Sequence, residues 1–188
     1  GEGGLVWIKR RSTTRGHGLF DTERGVNQRL YSHLDLASGT NTSSLTAFNS
    51  NGFTVGTESD VNGSSETNVA WTFRKAEKFF DIVTYTGDGT TSHTINHNLG
   101  SVPGMIIVKR TDASANWNVF HRSSPIGGNG KYNDLMLNHP NAAGNSSFWP
   151  TAPTSTQFFL GDSDSAINAS GGTYVAYLFG HNEAEYGQ

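Results

Sequence analysis

Histidines and clustered acids are the residues with which this chain could do chemistry. His93 and His97 have a ligand-like spacing. On a strand, however, they stand about 13 Å apart at ~3.3 Å per residue, sharing a face but unable to grip one ion. Asp88, Asp162 and Asp164 supply oxygen ligands of the kind calcium takes, but without the dense Asp/Asn/Gly spacing of a calcium loop. Glu58, Asp60 and Glu66 are close enough in sequence to suggest the carboxylate pair of a glycosidase. The second half of the chain repeats no such pattern, and three acids in a wet loop have a plainer explanation. Neither a Gly-x-Ser-x-Gly elbow nor a Gly-rich phosphate loop occurs. We therefore expect no enzyme, no metal and no cofactor.

Aromatic residues are the better candidates for a site. Trp117, Tyr132, Phe148 and Trp149 stand among Asn, Ser and Gly. Rings in such loops can stack on sugars or fill a subunit contact, and they can equally pack beneath the loops. Trp7 and Trp71 sit in strand patterns and are expected in the core.

What positions these residues is an internal repeat, the first thing to follow when it is clear. Gly4-Leu-Val-Trp-Ile-Lys-Arg10 returns as Gly104-Met-Ile-Ile-Val-Lys-Arg110. Leu19-Phe20 matches Val119-Phe120 at the same offset, Phe53–Gly56 matches Phe158–Gly161, and Asn62 matches Asn168. Val69-Ala70 with Phe73 matches Val175-Ala176 with Phe179. The offset grows from 100 to 106, and the extra residues fall around 126–130 and 141–150, where loops tolerate insertion. Copy one thus runs from about Gly4 to Arg74 and copy two from about Gly104 to Gly180. The chain divides into a first half, 1–78, and a second half, 79–188, that adds a lead-in hairpin and a polar tail from His181. Together they form one compact unit. The lead-in Phe79–Pro103 has no counterpart ahead of copy one. The expectation is a segment of a longer protein, or a copy whose own lead-in is missing.

The repeated apolar runs, bounded by turn formers, fit strands buried on both faces, with each Lys-Arg pair keeping its charge in water where the strand leaves the core. Further strands are expected at His17–Asp21, Leu30-Tyr31, Phe53–Gly56, Asn68–Phe73 and Phe79–Tyr85. Asn49–Gly52 should be a hairpin turn, and His93–His97 should return beside Phe79–Tyr85 as the second arm of the lead-in. No amphipathic helix is evident. The fold class is all-β: an antiparallel β-sandwich built by internal duplication of two similar halves.

Composition agrees. Gly contributes 23 of 188 residues and charged residues only 15%, which gives a turn-rich chain with an uncharged polar surface. A net charge of −3 without a basic run argues against nucleic acid. No stretch approaches the ~20 apolar residues that insert in a membrane as a helix, and no signal peptide is visible. Cysteine is absent, so stability must come from packing, from oligomerisation, or from both.

Several segments are familiar in wording and order: Gly4–Lys9, His17–Gly25, Phe48–Gly56, Val69–Lys75, Phe79–Gly87, Leu99–Arg110 and Tyr174–Phe179. They resemble a repeat domain of unknown function found in tail-fibre-like and other virion structural proteins of marine tailed phages, cyanophages among them. The likeness covers nearly the whole chain. It implies a surface-exposed structural or adhesion module of a virion, assembled in the host cytoplasm and extracellular when mature, and it brings no catalytic residues with it. Two functions follow as expectations. One is a fibre module that binds a host-surface glycan or protein through Trp117, Tyr132, Phe148 and Trp149, in the enlarged loops of copy two. The other is a spacer or capsid-decoration module whose loops touch only neighbouring subunits. Partners would be further copies of the chain, as in a fibre trimer, or other virion proteins.

Overall fold

Short runs of β-branched and aromatic residues between Gly, Asn and Ser clusters produce short strands, and the computed structural model contains fifteen of them within residues 3–181, the residues it describes. Gly1, Glu2 and the polar tail beyond His181 lie outside the described residues. Copy one holds β1 (Gly4–Arg10), β2 (His17–Asp21), β3 (Gln28–Arg29), β4 (Gly39–Thr40), β5 (Leu45–Asn49), β6 (Gly52–Val55), the one-turn helix α1 (Ser59–Asn62) and β7 (Asn68–Arg74). The lead-in supplies β8 (Phe80–Thr86) and β9 (His93–Asn96). Copy two holds β10 (Pro103–Arg110), β11 (Asn118–His121), β12 (Tyr132–Met136), β13 (Gly144–Trp149), β14 (Gln157–Leu160) and β15 (Thr173–Gly180).

The duplication is written in the strand registers. β1 lies between β2 and β7, and β10 between β11 and β15, all antiparallel. Val6 faces Phe20 as Ile106 faces Phe120, and Trp7 faces Trp71 as Ile107 faces Tyr177. These are the offsets of 100 and 106 that the sequence shows. Even the closing bonds match: Arg11 donates its N–H to Thr67 at 2.8 Å, and Thr111 donates to Thr173 at 2.8 Å.

Period-2 alternation sends each central strand's side chains to two different clusters. Leu5 enters a central cluster with Leu19, Ile107, Val119, Val175 and Tyr177. There the sheet β2-β1-β7 lies against the six-stranded sheet β13-β12-β11-β10-β15-β8. Val6 and Ile8 point the other way, under the β5–β6 hairpin and α1. Ile106 and Val108 likewise point outward, under the β9–β14 pair. The order of layers is therefore β5–β6, the three-stranded sheet, the six-stranded sheet, then β9–β14. The two copies are two small sandwiches back to back, each giving the other the same face.

Several expectations need correction. The lead-in is not a hairpin: β8 pairs with β15, while β9 pairs with β14 in the outer layer. The turn after β8 is tied elsewhere, since Gly87 N–H donates to Gly172 at 2.8 Å and Asp88 N–H to Asn168 Oδ1 at 3.1 Å. The third strand is Gln28–Arg29, with Leu30 bridging Leu19. The stretch 59–62, where no helix was expected, makes one helical turn. One member of each basic pair is buried and the other, Lys9 or Arg110, stays partly exposed. Arg10 and Lys109 are buried, and both lysines cap a main-chain carbonyl: Lys9 Nζ donates to Arg10 O at 2.6 Å, and Lys109 Nζ to Arg110 O at 2.7 Å. Burial lowers the Lys109 ammonium to about 8.

Candidate functional site

Two of the four candidate aromatics are interior. Trp117, just ahead of β11, is fully buried; its indole N–H donates to the carbonyls of Tyr31 and Leu34, both at 3.0 Å, and its ring stacks on Tyr177. Trp149 ends β13 and is 2% exposed, with its N–H donated to Asp134 Oδ1 at 2.8 Å. An indole can be buried when its one donor finds an acceptor, and both do. Neither ring can meet a ligand. Tyr132 and Phe148 belong to strands β12 and β13 rather than loops, and both are half-buried against the outer cluster of copy two. The structure brings Tyr132 and Trp149 together around Phe120, a packing arrangement, and leaves Trp117 in a different cluster.

The carboxylates are committed to ion pairs. Arg29, 2% exposed, holds Glu58 at 3.1 Å and Asp60 at 3.2 Å, and Arg10 holds Glu66. Asp88 accepts from Thr90 and Asn168, whereas Asp162 and Asp164 accept main-chain N–H groups two residues ahead. His93 meets Asn168 Oδ1 at 2.7 Å, and His97 meets the carbonyl of Thr154. Among the described residues no three of His, Cys, Asp and Glu are gathered to hold a metal.

A different cluster faces solvent, at the seam between the copies. Trp7 is half-buried and donates its N–H to His17 Nδ1 at 2.8 Å. His33 accepts the main-chain N–H of His17, and its ring lies 5.8 Å from that of His17 and 6.0 Å from Tyr31. Leu137, Asn138, His139 and Pro140, in the turn after β12, form the opposite wall of a cleft of about 470 Å³. Hairpin register explains the near wall: Lys9 faces His17, so Trp7 is the diagonal neighbour of His17 on the same face. Burial pushes the His17 imidazole below its ordinary value, with His33 and Lys9 adding repulsion; burial also pushes His33 down, with Arg29 and Lys9 adding to it. Near neutral pH the cleft thus presents the uncharged imidazoles of His17 and His33, an amide and an indole face. Trp7 was expected in the core, and the sequence did not single out His17 or His33. The signal was the spacing across the hairpin, but a six-residue connection does not fix a register by itself.

A family model described as a domain of unknown function, DUF7483, matches residues 2–185, so the chain belongs to that family. No curated protein and no solved structure matches it.

Proposed function

We propose that this member of the family is a non-enzymatic virion module, tail-fibre-like, that binds a glycan or protein of the host surface. The phage resemblance of its segments motivates the virion setting. The observation that carries the binding reading is the seam cleft: an indole face, uncharged imidazoles and the Asn138 amide converge there in the open. Flat rings give rigid contact area, and neutral donors and acceptors suit hydroxyl-rich ligands. With Trp117 and Trp149 buried, binding moves from the loops of copy two to this seam, where copy two contributes only residues 137–140. One such cleft would bind weakly, and several on one particle would raise avidity by ~10²–10⁴.

The test is Leu137→Asp with His139→Ala, both at exposed positions. We expect unchanged folding, with reduced adsorption of the parent particle and reduced glycan-array signal of a multivalent form. Wild-type adsorption with failed particle assembly would replace adhesion by the spacer or capsid-decoration reading. That second reading is favoured by one observation: among the described residues β7 pairs only with β1, which leaves its other edge open.

A further inference from the structure

β7 and β15 are the same strand twice, yet only β15 has neighbours on both sides. β15 pairs with β10 and β8, whereas β7 pairs with β1 alone among the described residues. An antiparallel strand points successive main-chain groups to opposite sides. Thr67 O and Lys75 N–H point at β1's side, to Arg11 and Gly3. It follows that Asn68, Ala70, Thr72 and Arg74 aim their N–H and C=O groups at the open side. Copy two confirms the parity. Gly180, the equivalent of Arg74, donates its N–H to Phe79 on the β8 side at 2.8 Å.

This edge is seven residues long, carries no proline, bulge or central charge, and exposes Trp71 at 46%. Proteins ordinarily blunt such an edge, and the other three outer strands of the two large sheets are each closed at least in part. β8's outer side is closed where Phe80 and Ala76 exchange bonds and where Asp81 Oδ1 accepts the N–H of Ile82. β2's outer side is closed at Leu19–Leu30, and β13's where Phe148 O accepts from Gly161.

We propose that β7 pairs with β7 of a second copy of this chain, antiparallel across a two-fold axis, so that two three-stranded sheets become one of six. Self-complementarity selects the occupant. Full overlap of Asn68–Arg74 with itself sets Ala70 opposite Thr72, Asn68 opposite Arg74, and Trp71 opposite Trp71. The first two are the pairs whose main-chain groups already point outward, so both become hydrogen-bonded pairs. No like charges meet. Trp71 falls at a non-hydrogen-bonded pair, where facing side chains are closest, and each Trp71 ring already rests edge-on against Trp7. The pairing is isologous and closes at two. It does not depend on what the seam cleft binds.

Sedimentation of the chain from micromolar to millimolar concentration should show a monomer–dimer equilibrium. Ala70→Pro removes one outward N–H and leaves the ladder to β1 intact. It should weaken dimerisation at least about tenfold while circular dichroism stays unchanged; if proline perturbs the fold, Ala70→Lys serves the same test. Because the chain has no cysteine, Trp71→Cys should cross-link on mild oxidation, as facing positions ~4.5 Å apart allow, and Arg74→Cys should not. A monomer at every concentration, a trimer, a dimer indifferent to Ala70→Pro and Ala70→Lys, or equal cross-linking of both cysteine variants would overturn the proposal. A monomer that instead takes up an extended segment of another virion protein would also overturn it, in favour of that partner.

Discussion

β7 and β15 descend from one strand and ended in different environments. Val175, Ala176, Tyr177 and Leu178 are all essentially inaccessible, whereas Ala70, Trp71 and Thr72 at the matching places are exposed. The difference is β8, which covers one strand and has no counterpart on the other among the described residues. Tyr177 shows what cover permits. Its hydroxyl donates to Asp21 at 2.7 Å, and Asp21 also holds Arg24 at 2.6 Å, a buried network joining the copies. At the same place in copy one, Trp71 stays exposed, its ring edge-on to Trp7. Burial of a strand is thus set by what lies beside it as much as by its own residues.

Four measurements would break or sharpen this comparison. The largest effect is expected at Ile107, the equivalent of Trp7. Ile107→Asp places an unpaired carboxylate in the central cluster, at a cost of several kcal/mol, against a total of roughly 5–15. It should yield no folded protein, while Trp7→Asp at the wet end of the same face yields a folded one. Equal behaviour would mean that the copies do not meet as described. Next, Tyr177→Ala should cost about 3–5 kcal/mol in equilibrium denaturation. Trp71→Ala, at dilution, should cost less than about 1 kcal/mol.

The third concerns another equivalent pair: Leu30 faces Leu19 as Leu135 faces Val119, which matches Arg29 to Asp134, both buried. Arg29 is neutralised by Glu58 and Asp60; Asp134 accepts the indole N–H of Trp149 at Oδ1, and its Oδ2 has no hydrogen-bond partner among the described residues. Burial therefore raises the Asp134 carboxyl to about 7, although the Trp149 bond pulls it down. Because the folded value lies above the unfolded one of 3.8, its contribution to stability is whole below about pH 4 and is lost as pH rises toward about 7. Carboxyl NMR should find Asp134 titrating near 7; an ordinary acidic value would remove this asymmetry. The smallest effect belongs to His17 and His33, lowered by burial at a half-exposed site. The unfolded chain takes up protons first, so stability is lost as pH falls below ~6.5. Imidazole resonances that titrate at or above ~6.5 would show that burial does not act there.

The repeat was legible because its blocks keep their order and offset, and with it came the central strands, the β5–β6 turn and the sandwich class. Pairings beyond a hairpin were not. Nothing local in His93–Asn96 says that it crosses to β14 rather than returning beside β8; that choice is made by Gly172 and Asn168, some 80 residues away. Trp117 and Trp149 were misplaced for a related reason. An Asn/Ser-rich flank looks like a loop, but whether a Trp there is buried depends on a distant acceptor, the carbonyl of Tyr31 or the carboxyl of Asp134. The seam cleft was hidden because its two walls belong to different copies.

The open edge of β7 also bears on how the chain reaches its structure. Between β7 and β8 lie five residues, 75–79; between β8 and its true partner β15 lie 86, 87–172. A β7–β8 hairpin, antiparallel like the native β15–β8 pair, is closer to hand, and loop closure alone favours it by about 2–3 kcal/mol. During synthesis β7 and β8 emerge together, long before β15 exists. Refolding should accordingly show a slow phase set by the release of β8 from β7, and a second chain that occupies β7 early would speed it.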